Sequence, residues 1–117
     1  MTLALETTTD LKIELRLADG WLPVCDLHRL VPGRGVAALL PDGRQVALFR
    51  DRTDRVYAIG NVDPFTGAAV LSRGLTGTHQ GRPFVSSPLL KQRFDLASGE
   101  CLDDESVRVP VYEVRRA

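Results

Sequence analysis

Cysteine and histidine are scarce in this chain of 117 residues, with Cys25 and Cys101 the only thiols and His28 and His79 the only imidazoles. Two cysteines so far apart make no disulfide framework, and both are expected as free, buried thiols in a reducing compartment. No apolar run approaches the roughly 20 residues needed to cross a bilayer. The N-terminus also lacks the basic start and apolar stretch of a signal peptide, so a cytoplasmic location is expected. Neither charge sign is in excess, since 15 basic residues balance 15 acidic ones. No block of like charge exists to grip nucleic acid: Arg50, Arg52 and Arg55 are interleaved with Asp51 and Asp54, which reads as a solvated turn. The glycines at 74, 77 and 81 are not followed by Lys-Ser/Thr, so they make no phosphate loop and read as turn residues.

What remains is a pattern of short apolar runs. Residues 1–10, with Thr7, Thr8 and Thr9 beside acidic groups, are expected as a flexible N-terminal tail ahead of one domain over 11–117. Leu11, Ile13, Leu15 and Leu17 alternate with polar residues, as in a strand with one buried face. Trp21-Leu22-Pro23-Val24-Cys25 reads as an edge strand that tolerates its proline, and residues 27–30 as a helical turn. Residues 36–40 and 45–50 flank Pro41-Asp42-Gly43-Arg44 and predict a hairpin, which residues 55–59 extend into a meander. Residues 61–81 show no sustained period and read as loop. Pro83-Phe84-Val85-Ser86 resumes an extended pattern, and Arg93-Phe94-Asp95-Leu96 predicts a further hairpin with the turn at 97–100. Val107, Val109 and Val111 fall on one face and Val114 on the other, which predicts a bend near Tyr112 and Glu113. Short strands with almost no helical period predict an all-β sandwich or open barrel of antiparallel strands.

Two loops, Asn61-Val62-Asp63-Pro64-Phe65 and Ser87-Pro88-Leu89-Leu90, each place a proline after a small polar residue behind a predicted strand. With the meander before them and Arg93-Phe94-Asp95-Leu96-Ala97-Ser98-Gly99-Glu100 after them, the arrangement resembles the Rieske ferredoxin domain from Trp21 to about Val114. In that family the loops read Cys-Pro-His and Cys-Pro-x-His and hold a [2Fe–2S] cluster through two thiolates and two imidazoles. Here the corresponding positions are Asp63, Phe65, Ser87 and Leu90. Phenylalanine and leucine have no donor lone pair, and aspartate and serine offer hard oxygen in place of soft sulfur. No cofactor is therefore expected in this chain.

Val70-Leu71-Ser72-Arg73-Gly74-Leu75, His79-Gln80-Gly81 and Ser86-Ser87-Pro88-Leu89-Leu90-Lys91-Gln92-Arg93-Phe94 extend the likeness. On these stretches the sequence resembles the cluster-less small subunits of assimilatory NAD(P)H-dependent nitrite reductases. That resemblance implies a non-catalytic subunit bound to a large subunit that carries FAD, an iron–sulfur cluster and sirohaem and reduces nitrite to ammonium. The alternative is a free-standing cluster-less module that grips another protein with the same loops.

Pro64, Phe65, Pro88, Leu89, Leu90, Lys91 and Arg93 are the candidate partner contacts, with Phe65, Leu89 and Leu90 either docking or filling the space the cluster ligands left. Ser86 or Ser87 with His79 and Asp63 has the residue types of a hydrolytic triad, but no nucleophile-elbow motif surrounds them. Asp103, Asp104 and Glu105 read as a solvated acidic turn, and Trp21 as a cap on the core. Arg115 and Arg116 would blunt the last sheet edge unless a partner covers it.

Overall fold

The computed structural model describes residues 11–117, so the tail expected over residues 1–10 lies outside the described residues. In chain order the strands are β1 (Lys12–Leu17), β2 (Gly20–Asp26), β3 (Val36–Leu39), β4 (Gln45–Arg50), β5 (Val56–Gly60), β6 (Leu75–His79), β7 (Arg82–Ser86), β8 (Arg93–Asp95), β9 (Val111–Tyr112) and β10 (Val114–Arg116). Two 3-10 turns, Leu27–Arg29 and Leu71–Arg73, are the helical elements among the described residues, and no helix is long and apolar enough to cross a membrane. The strands form three antiparallel sheets, ordered β10-β1-β2, β3-β4-β5-β9 and β6-β7-β8.

The β3-β4-β5-β9 sheet lies between two cores, which explains why β4 reads as an unbroken apolar run. Val46, Leu48 and Ala58 turn to one face and pack with Ile13 and Leu15 of β1 and with Leu30 and Leu40. Ala47, Phe49 and Ile59 turn to the other and pack with Leu71, Val85, Phe94, Leu96, Cys101 and Val109. Successive side chains of a strand point to opposite faces, so a strand covered on both sides has no polar positions to alternate with. The alternation predicted for β1 is present for the opposite reason: Ile13 and Leu15 are fully buried, while Lys12 and Arg16 face water.

Several expectations are corrected. Residues 61–81 are not loop throughout, because Leu75–His79 forms β6 and pairs with β7 across the turn Gln80-Gly81. Gly77 hid the strand pattern; the Phe84 ring lies over it, and a Cβ there would stand 2.7 Å from the ring. The hairpin expected after Phe94 is present but short: Phe94 pairs antiparallel with Cys101, flanked by the Asp95 N–H on Glu100 O (2.8 Å) and the Leu102 N–H on Arg93 O (2.7 Å). Asp95 shapes its turn, since its Oδ1 accepts the N–H groups of Ala97 (2.7 Å) and Ser98 (2.9 Å).

Val111 does not share the buried face of Val107 and Val109 but is 46% exposed, because the extended run breaks at Pro110 and period-two counting does not carry across it. The bend predicted at Tyr112 and Glu113 is where the chain crosses from β5, paired with β9, to β1, paired with β10. Trp21 is not a core cap. Its register partner is Arg16, so it shares the outer face, where the guanidinium groups of Arg115 and Arg16 lie 4.3 and 5.8 Å from its ring centroid. Leu22, opposite Leu15, is the residue that faces the core. The terminal arginines are both engaged, Arg115 with Glu14 and Arg116 with Asp54. Cys25 is half-buried and Cys101 buried, and both are free thiols.

Candidate functional site

The two loops named from sequence follow β5 and β7, strands of different sheets, and they are built to one plan. Asp63 opens the first loop: its N–H donates to Ala68 O (2.8 Å), and its carbonyl accepts the Gly67 N–H (2.7 Å). Ser87 opens the second, donating to Gln92 O (2.9 Å) and accepting from the Lys91 N–H (3.1 Å). The third residue of each loop donates its N–H to the side chain of the first, Phe65 to Asp63 Oδ1 (2.8 Å) and Leu89 to Ser87 Oγ (3.3 Å). Both loops close through a left-handed fifth residue, Gly67 at φ 77° and Lys91 at φ 66°.

Glycine takes that conformation without steric cost, whereas a side chain there costs roughly 1–2 kcal/mol. Gly67→Ala is therefore expected to lower unfolding stability by about 1 kcal/mol in urea titrations, and Lys91→Gly to leave it unchanged or raised. A loss at Lys91→Gly as large as that at Gly67→Ala would contradict the shared plan.

The loops are joined at their first residues. Ser87 Oγ donates to Asp63 Oδ2 at 2.5 Å, with both residues buried, at 1% and 0% exposure. The base of the first loop is fixed further by Asn61, also buried, whose Oδ1 accepts the Ser72 N–H (2.8 Å) and whose Nδ2 donates to Gln45 Oε1 (3.1 Å).

The candidate contacts divide by burial. Phe65 turns inward and packs on Phe94, with ring centroids 6.2 Å apart. Leu89 and Leu90 are 50% and 57% exposed, and Pro64, Pro88 and Lys91 are exposed beside them. Arg93 lies over the Phe84 ring and pairs with Asp103 at 2.8 Å, which holds the Asp103 carboxyl below its ordinary value. Sequence reading missed two apolar neighbours. Val62 is 44% exposed immediately before Asp63, and Leu75 is 79% exposed opposite Ser86 in the β6–β7 register. The first was legible in the quoted motif; the second was hidden when its strand was read as loop.

This set does not fit the [2Fe–2S] group that the fold implies. Phe65 and Leu90 bring no donor atom, and the side-chain oxygens of Asp63 and Ser87 are engaged by each other and by the Phe65 and Leu89 N–H groups. No cluster of three or more His, Cys, Asp or Glu suited to a metal ion occurs among the described residues. Anaerobic incubation with iron and sulfide is expected to leave no chain-bound iron after desalting and no visible absorption; a rhombic EPR signal surviving that step would contradict the assignment.

Nor does the hydrolytic triad assemble. Ser87 is committed to Asp63, and His79 sits at the other end of β6 from Leu75, about 13 Å away at roughly 3.3 Å per strand residue. The acidic turn is accounted for by Asp103 on Arg93 and by Asp104 accepting from Ser106 Oγ (2.6 Å) and its N–H (3.0 Å).

Residues 20–117 match the family of Rieske-like [2Fe-2S] domains. The chain is 50% identical over 96 residues, 81% of its length and 88% of the relative's, to the nitrite reductase (NADH) small subunit of Salmonella typhimurium. The solution structure of the Escherichia coli protein NirD superposes with a TM-score of 0.70 at 46% identity, covering 80% of this chain and 93% of that one. A stretch of the nitrite reductase [NAD(P)H] large subunit of Klebsiella oxytoca is 43% identical over 95 residues, which is 81% of this chain but 10% of that protein. With its strands, its paired loops and the residues at their tips accounted for, the chain belongs to the Rieske-like domain family, in the branch formed by the small subunits of NADH-dependent nitrite reductase.

Proposed function

We infer that this chain is the small subunit of an NAD(P)H-dependent nitrite reductase in nitrate assimilation, and that it binds and supports the large subunit without catalysing a step itself. The observation that carries the reading is the Klebsiella relative, where a domain like this one forms about a tenth of the large subunit's own chain. A domain that is covalently part of the catalytic protein in one organism is well suited to be its bound partner where the two are separate. The flavin, iron–sulfur and sirohaem centres belong to the large subunit in this reading, and nitrite meets its electrons there. The free thiols of Cys25 and Cys101 suit a cytoplasmic assembly, and residues 11–117 act as one domain.

The docking face is the two-loop end. Val62, Leu75, Leu89 and Leu90 are the exposed apolar side chains around the Asp63–Ser87 junction, between 44% and 79% accessible. Lys91, Arg93, Pro64 and Pro88 form the rim, and Phe65 supports it from beneath. Such a face, apolar at the centre and charged at the edge, has the make-up of a protein interface. Co-expression with the large subunit and purification through a tag on this chain is expected to yield a complex active in nitrite reduction. A large subunit that never co-purifies, and whose activity is unchanged when this chain is deleted, would refute the role.

A further inference from the structure

We propose that the Asp63–Ser87 hydrogen bond is a loop lock: it does between these loops the mechanical work that a metal centre would do, setting the spacing of the apolar tips before the partner arrives. The docking half of this inference rests on the two-loop end being the face presented to the large subunit.

Asp63 and Ser87 are the residues on which their respective loops close, so a bond between them ties loop to loop at the base. The loops hang from β5 and β7, which lie in different sheets with no strand pairing between them. Among the described residues this is the one side-chain hydrogen bond that joins residues 61–68 to residues 86–92. It is also the middle of a longer chain. The Leu89 N–H donates to Ser87 Oγ, Ser87 Oγ–H donates to Asp63 Oδ2, and Asp63 Oδ1 accepts the Phe65 N–H. The third positions of both loops are thus coupled through four groups in series, an arrangement in which each bond polarises the next.

Burial argues the same way. A fully buried carboxylate is costly, and no Lys, Arg or His reaches Asp63 within salt-bridge distance among the described residues. What its two oxygens do is accept two donors on opposite sides, one from each loop. Alanine at 87 would break the link and leave both a buried acceptor and the Leu89 N–H unmatched, whereas threonine would keep the hydroxyl.

The test is Ser87→Ala against wild type and Ser87→Thr, with two readouts: native-state hydrogen exchange and affinity for the purified large subunit. Ser87→Ala is expected to speed exchange of the Leu89 and Phe65 amides about 10-fold or more while the Ala47 and Ile59 amides stay within about 2-fold. It should also weaken association about 10-fold, with Ser87→Thr restoring both. A global loss of stability would move the core amides equally, and so is distinguished from a lock. If Ser87→Ala does not fold, Ser87→Cys, which keeps the side chain's bulk and offers only a weak donor, carries the same comparison, with the same direction expected. Unchanged loop exchange would overturn the proposal, and so would accelerated exchange with unchanged affinity, which would reduce the bond to a local brace. A wild-type chain that never binds the large subunit refutes the docking reading instead, and the exchange data then judge the lock alone.

Discussion

Leu89→Asp combined with Leu90→Asp is expected to weaken association with the large subunit severely while the chain remains folded. Both side chains are more than half or about half exposed, so the free protein loses little by the exchange. A complex docked on this face would lose the burial of two leucines, each worth about 1.5–3 kcal/mol, and would have to desolvate two carboxylates besides. The expected weakening is at least about 100-fold, measured by titration calorimetry, with a thermal midpoint within a few degrees of wild type. Unchanged affinity would remove the second loop from the interface. Phe65 is unsuited to this experiment, since its ring packs on Phe94 in the core. Phe65→Asp is expected to unfold the loop end and would report on packing.

Asp95→Ala is expected to cost about 2 kcal/mol of unfolding free energy, through the part-buried N–H groups it leaves without an acceptor and the loss of the Arg82 pair. The Asp95 carboxylate, 4% exposed, accepts from the Ala97 and Ser98 amides and from Arg82 Nε at 2.6 Å. Burial pushes this carboxyl up, but the Ser98 and Ala97 amides and the Arg82 guanidinium outweigh burial and hold it below its ordinary value. The unfolded chain therefore takes up this proton more readily than the native one. The stabilisation is complete above the ordinary carboxyl range near about pH 4 and is lost as the pH falls through the lower native value. Asp51, Asp54 and Asp103 shift in the same direction and lose their contribution in the same window. Urea titrations at pH 7 and pH 3 should show the wild type losing more stability on acidification than Asp95→Ala. Equal losses would contradict the assignment.

The strands were legible wherever one face is buried and the other wet, as in β1, or where a Pro-Gly turn punctuates two apolar runs, as between β3 and β4. They were lost where tertiary contact replaces side-chain pattern. In β6 a glycine beneath the Phe84 ring leaves no alternation to read. Trp21 was misplaced because its face is decided by its register with Arg16, a property of two strands that neither reveals alone. The site was legible as residue types: two loops, a proline in each, and oxygen or hydrocarbon where sulfur and nitrogen would bind iron. Which of those residues pack and which protrude was not, because Phe65 and Leu90 are equally apolar and only the neighbouring Phe94 separates them. The bond between Asp63 and Ser87 was likewise hidden, since the two lie 24 positions apart and follow strands of different sheets.

Hydrogen exchange of this chain, free and bound to the purified large subunit, places the interface directly. Protection is expected at residues 62–66, at Leu75 and at residues 87–91, with β2 and β3 unchanged. Protection confined to the β2 and β3 edges, or none at any residue, would contradict the docking of the two-loop end.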